Sequence, residues 1–347
     1  MAKKCVFCGQ TPKNKNREHV IPQWLIRLTG REKEYCAECP GAPQKNIPFM
    51  RFTVPACTDC NSRYSDWEAQ VKSVVEKILA DTPITAVEMD LLLDWFDKVR
   101  VGLWYASYYL NPSLYDFEPN ICVDNRIAAH DRMLIVERLD TTGQGILIDG
   151  VGTPVFVNSP SAFQMVINNY SFTNISTTNL VSRKLGFPTI GNLIFEQNGV
   201  LSGDLIAGTN KAVAPVVRSI NPLPNQTVIY QPMFTQAKTA PEYDNDYVRA
   251  HSVNFAAGHG GIFYQQNCGP LKYMEPHNKI HLYKTKALPW EQLNDIVRRT
   301  YNVQTIINQN DQQHINFTDK SISDAVRHKM RLNSKINMLL SHSCNSK

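Results

Sequence analysis

Two C-x2-C knuckles, Cys5-Val6-Phe7-Cys8 and Cys57-Thr58-Asp59-Cys60, constrain this chain more than any other feature, because four thiolates brought together can close one tetrahedral zinc site. The long segment between them must then fold back as a loop or hairpin beside the metal. That segment carries Arg17-Glu18-His19-Val20-Ile21-Pro22, and Asn61 follows the second knuckle directly. Glu18, His19 and Asn61 are therefore expected in one small neighbourhood. A carboxylate, an imidazole and an amide on such a frame suit metal-assisted hydrolysis.

Cysteine usage supports metal over disulfides. Six of the nine cysteines fall in three C-x2-C pairs, the third being Cys36-Ala37-Glu38-Cys39, while Cys122, Cys268 and Cys344 are scattered. No apolar run approaches the roughly 18 residues of a membrane span. The Met-Ala-Lys-Lys start has no apolar core of a signal peptide, so a cytoplasmic protein is expected. The net charge of +5 is compatible with a polyanionic partner without requiring one. Its placement says more, since Lys3, Lys4, Lys13, Lys15, Arg17, Arg27 and Arg31 crowd the first knuckle.

The pattern along the chain predicts an α+β protein: an N-terminal zinc-stapled module over 1–68, a helical connector over 69–112, and a β-rich domain with C-terminal helices over 113–347. Ser65-x-x-Glu68 has the form of a capping box and predicts a helix start there; Thr85-x-x-Glu88 predicts a second. Trp104, Tyr105, Tyr108 and Tyr109 recur at helical spacing and read as core rather than as a base-stacking platform. Short β-rich runs predict strands at 133–136, 145–148, 153–157, 192–195, 227–230 and 279–283, with a short helix at 161–168 and loops near 221–224 and 238–246. Pro289 marks a helix start, and a last, basic helix is expected over about 321–340. The glycines of Gly258-His259-Gly260-Gly261 read as a turn, and His277 and His281 as structural.

Knuckle, Arg-Glu-His-Val-Ile-Pro, then knuckle followed by Asn resembles the HNH nucleases, the zinc-stapled branch of the ββα-metal fold, over residues 5–68. The resemblance implies a structural zinc on Cys5, Cys8, Cys57 and Cys60. It implies a catalytic divalent ion, Mg2+ or Mn2+, on Glu18 and Asn61, with His19 as general base and nucleic acid, DNA before RNA, as substrate. Arg17 and Arg63 are placed to touch phosphate. Independent chemistry agrees: a neutral imidazole with a pKa of roughly 6.5 can take a proton from water, and carboxylate and amide oxygens are hard ligands. A nuclease module fused to a larger domain resembles bacterial defence effectors, in which a nuclease is held idle until another domain responds; a homo-oligomer or a partner subunit is a further expectation for the larger part.

Several points stay open. Asp66 can reach the ion or face solvent, and Glu68 can cap the helix. An Asn that holds the base in related sequences has no evident counterpart before Cys57, although Asn46 is a substitute. Cys36 and Cys39 can displace another pair at the zinc or remain unliganded. The competing function is a non-catalytic zinc module that binds nucleic acid or regulates another protein.

Overall fold

The protein is described here by a computed structural model covering residues 3–30, 35–36, 47–115, 118–195, 201–213, 225–235, 243–282, 286–317 and 319–343. It is α+β, as expected. The strand Lys15–His19 pairs antiparallel with Thr53–Cys57, setting Glu18 opposite Val54 and His19 opposite Thr53. Short helix α1, Gln23–Leu28, follows the first strand, and long helix α2, Thr58–Leu79, follows the second without a loop.

Helix α2 corrects the expected start at Ser65. Cys57 is its N-cap, so the second knuckle itself opens the helix and places Cys60 in the first turn. Ser65 and Glu68 are interior positions, and the Glu68 side chain is spent elsewhere. The next cap is as the sequence predicts: Thr85 accepts from the Glu88 N–H while Glu88 accepts from the Thr85 N–H, and helix α3, Ala86–Leu110, begins there. This helix is buried around most of its circumference, with Trp95, Trp104 and Tyr105 fully enclosed and Tyr108 nearly so, which supports the core reading of its aromatics.

Beyond helix α4, Val123–Arg126, the chain builds an antiparallel sheet in the order Lys272–Met274, Ile262–Gln266, Gln226–Gln231, Asp131–Asp140, Tyr170–Thr177, Ala162–Ile167, Ile146–Asp149. One face packs Leu134, Phe163, Phe172 and Ile229 with the side chains of α3; the other packs Met133, Ile175 and Val228 with Val303 and Ile307 of the helix Leu293–His314. The first of these clusters also takes in Cys5, Phe7, Val20 and Val54, so packing continues from the knuckles through α3 to the sheet. The last helix, Lys320–Ser343, packs against Leu293–His314.

Several elements differ from expectation. Residues 153–157 form helix α5, Pro154–Asn158, because the Thr153 hydroxyl accepts the Phe156 N–H and Pro154 supplies a preset first turn. Residues 162–167 form a strand buried on both faces, whose apolar run carries no period of its own. The predicted strand at 279–283 is reduced to Lys279–Ile280, paired with Ile84–Thr85, and the helix expected from Pro289 runs over Leu293–His314 after a 3-10 turn at Trp290–Gln292. The run at 192–195 lies in a separate three-stranded sheet, Leu201–Ile206, Thr189–Phe195 and Ile315–Phe317. The predicted loop at 221–224, and 238–242 of the next one, lie outside the described residues, as do Cys39, Asn46 and the side chain of Cys36. Among the described residues no helix is long and apolar enough to cross a membrane.

Candidate metal and catalytic centre

Each knuckle is set by backbone that has few other choices. The Gly9 N–H bonds the Cys5 carbonyl with Gly9 at φ +74°, and the Val6 N–H bonds the Pro55 carbonyl, which lays the first knuckle on the second hairpin strand. Helix α4 pins it from the far side: the Val123 and Asp124 N–H groups donate to the carbonyls of Val6 and Phe7. Phe7 stacks on Tyr64 at 4.4 Å, and the Tyr64 hydroxyl donates to Asp124.

The sulfurs of Cys5, Cys8, Cys57 and Cys60 lie within 4.8 Å of one another. A zinc–sulfur length of about 2.3 Å separates tetrahedral sulfurs by about 3.8 Å, and Cys8 and Cys57 are 3.9 Å apart. The sulfurs also accept backbone hydrogen bonds, Cys57 N–H to Cys5 at 3.2 Å and Lys13 N–H to Cys57 at 3.4 Å. Such bonds orient thiolate ligands. Burial and the neighbouring cysteines push the Cys60 thiol up to about 12, so four thiolates need a cation to coexist. The donor set fits a metal such as zinc. Cys122, buried nearby, is the N-cap residue of α4 and is not one of the four.

At the other end of the hairpin stand Glu18 and His19. Glu18 is buried and its Oε1 accepts from Lys98, whose ammonium also donates to Glu68 at 2.7 Å. Lys98 comes from α3, Glu68 from α2 and Glu18 from the first strand, so this group ties three elements together. Gly102, one turn beyond Lys98, lets the helix approach the strand: a Cβ there would meet Val20 Cγ1 at 3.2 Å. Burial raises Glu18 above the usual carboxylate range despite the Lys98 charge, with Glu68 adding like-charge repulsion, whereas Lys98 is raised by its two carboxylates against the cost of burial. Lys98 gains from two carboxylates, whereas Glu18, desolvated and facing a second carboxylate, has only a share of one ammonium to offset its burial.

His19 is lowered from its usual value, first by burial and then by the Lys98 charge, against a hydrogen bond to the Met50 backbone. The shift favours the neutral imidazole. Nε2 faces the Gln23 amide at 3.0 Å, from the first turn of α1. The Met50 backbone bond restrains the ring. Asn61 is half-buried in the first turn of α2, seven residues and nearly two turns before Glu68, on the same face. Asp66 is exposed.

Of the expected phosphate contacts, Arg17 donates through Nε to the Thr53 hydroxyl at 2.6 Å and remains on the exposed side of the hairpin. With Lys3, Thr11, Lys15 and Asn16 it lines a groove of about 600 Å³. Arg63 instead pairs with Asp124 at 2.7 Å and helps fasten α2 to α4. Lys98 is the residue the sequence reading missed, and Glu68 the one it misassigned. A signal was present: Asp94, Asp97, Lys98 and Arg100 fall among apolar residues in the middle of α3, and charges that cannot reach water need partners. No family model, no curated protein and no solved structure matches the chain, so a functional reading rests on this site itself.

Proposed function

We propose that the chain is a metal-dependent endonuclease of HNH type that hydrolyses phosphodiester bonds in nucleic acid, with DNA the favoured substrate. One observation carries this reading: an under-neutralised buried carboxylate, Glu18, adjoins a histidine held neutral, His19, at the end of a hairpin that runs straight into a helix. Glu18 and Asn61 would hold the divalent ion, Mg2+ or Mn2+, and the zinc on the four cysteines would keep hairpin and helix in register. When bound, such an ion neutralises the charge that develops on the phosphoryl and departing oxygens. His19 then takes the proton of the attacking water through Nε2, after the Gln23 amide yields that position. The 113–347 portion would supply recognition, sensing of a trigger or oligomerisation, as in defence effectors held idle; this part of the reading rests on architecture.

The test is cleavage of supercoiled plasmid and of RNA with Mg2+ or Mn2+. His19→Ala is expected to lower the rate on the order of 100-fold or more while leaving binding intact. Absence of cleavage by the wild-type chain with either ion, on either substrate, would refute the proposal. The groove yields a separate measurement. Lys15→Ala with Arg17→Ala should weaken binding across sequences and reduce the slope of log K against log salt by about 0.9 for each phosphate no longer neutralised, hence by about 2. An unchanged slope would remove the groove from the substrate path.

The non-catalytic alternative has one observation in its favour: Lys98 already occupies Oε1 of Glu18. Under that reading Lys98 is the only cation Glu18 ever meets, and Glu18→Gln leaves nucleic-acid binding unchanged with no cleavage to lose.

A further inference from the structure

A second group of charges lies between α3 and the sheet, away from the hairpin. Its two ends are unequal. At one end Arg132, fully buried, meets three carboxylates: Asp90 at 2.8 Å, Asp94, and Asp97 at 3.4 Å. At the other end Arg126 of α4 pairs with none among the described residues. It is 6% exposed, and its Nη2 donates only to the Pro160 carbonyl at 3.2 Å and the Ser176 hydroxyl at 3.0 Å. Between them Arg100, fully buried, shares Asp97 with Arg132 and donates to the Asn174 side-chain oxygen.

The unpaired atoms around Arg126 have a common character. Arg126 Nε, Arg100 Nε, Asn174 Nδ2 and the Ser161 hydroxyl are buried without a hydrogen-bond partner among the described residues, and all four can donate. Arg126 and Arg100 reach the strand Tyr170–Thr177 at Ser176 and Asn174, on its α3 side, and the Ser176 N–H donates to the carbonyl of Ser161. We propose that these residues form a buried oxyanion-binding site, with Arg126 as its main anchor and a phosphate or carboxylate group as ligand.

The energetics point the same way. A buried guanidinium without a counter-charge costs several kcal/mol, and an unmade hydrogen bond at a buried donor adds to that cost. A water molecule would satisfy one or two donors and leave the charge. An oxyanion answers both. Burial, and then the charge of Arg100, bring Arg126 down to about 10, and the charges of Asp97 and Asp311 offset this only in part. The same two guanidinium charges, added to burial, hold His130 well below its usual range. The uncompensated potential is therefore positive at this end of the interface.

The experiment is thermal unfolding of the full chain against inorganic phosphate, acetate and chloride, for wild type and Arg126→Met. Phosphate should raise the wild-type midpoint saturably, by roughly 2–4 °C well above its dissociation constant. Acetate acting in its place assigns the site to a carboxylate. Arg126→Met should melt above wild type without anion, because an orphan buried charge is gone, and should show no response to phosphate or acetate. Ser161→Ala keeps the fold and the charge, and should raise the half-saturating concentration about tenfold, as expected for removal of one charge-assisted hydrogen bond. A wild-type midpoint that follows chloride equally, or ignores all three anions, or an Arg126→Met chain that responds as wild type does, overturns the proposal.

Discussion

Lys98→Met is expected to lower stability by about 3–5 kcal/mol, the cost of removing one partner from a buried ion pair. The methionine fills much of the lysine's volume, so little of the loss arises from packing. What remains is Glu18 and Glu68, both buried, facing each other across an apolar side chain with no cation between them. The pH dependence fixes the cause. In the variant Glu18, already raised by burial, loses the ammonium that opposes that rise, so folding favours its protonated acid; stability is retained below the ordinary glutamate range of about 4.3 and falls as pH rises from there through the folded value. The deficit against wild type should therefore be small near pH 4–5 and full at pH 7–8. In the wild type Lys98 is itself raised, so its contribution lasts until strongly alkaline pH. Urea midpoints for both proteins at pH 5 and pH 8 measure this, and Glu18→Gln with Glu68→Gln in the Lys98→Met background should recover most of the loss. An equal deficit at both pH values would mean that shape and not charge holds the three elements together.

This ion group also shows why the sequence was legible in one place and not in another. The two knuckles form a local pattern in which the C-x2-C spacing implies one cluster, and the four sulfurs gather as that spacing implies. Lys98 is 80 residues from Glu18 and 30 from Glu68, and its role depends on how α3 lies against the hairpin. Nothing local encodes that. The misplaced elements have equally physical causes: a metal knuckle opened α2 ahead of a plausible capping box, a threonine cap with proline outweighed the β-branched residues of 153–157, and a strand buried on both faces lost the alternation that would identify it. Where a charged side chain falls inside an apolar helix, as with Asp97, Lys98 and Arg100, the useful question from sequence is which distant group it answers.

Withdrawal of the metal should have the largest effect of any perturbation to the chain. Structural zinc on four cysteines contributes about 10–16 kcal/mol of apparent binding energy in small modules, and that energy is folding energy when no preformed site exists without it. Here part of the frame persists independently, because Phe7, Val20, Val54 and Ala56 share a core with α3 and the sheet. Loss should therefore concentrate where the apolar contacts do not reach: the Gly9–Asn14 turn, the first turn of α2 and, through it, Asn61. Cys60→Ser or a strong chelator should abolish zinc content, expected at one ion per chain by elemental analysis, and lift hydrogen-exchange protection in the hairpin and the first turn of α2 while the sheet stays protected. Because Asn61 follows Cys60 directly, the same variant should lose the proposed nuclease activity even with excess Mg2+, whereas Cys268→Ser, exposed and outside the group of four, should change neither property. Full exchange protection at Thr58–Tyr64 in a zinc-free chain would show that the hairpin and helix hold their register by packing alone, and would leave the four cysteines without the structural task assigned to them.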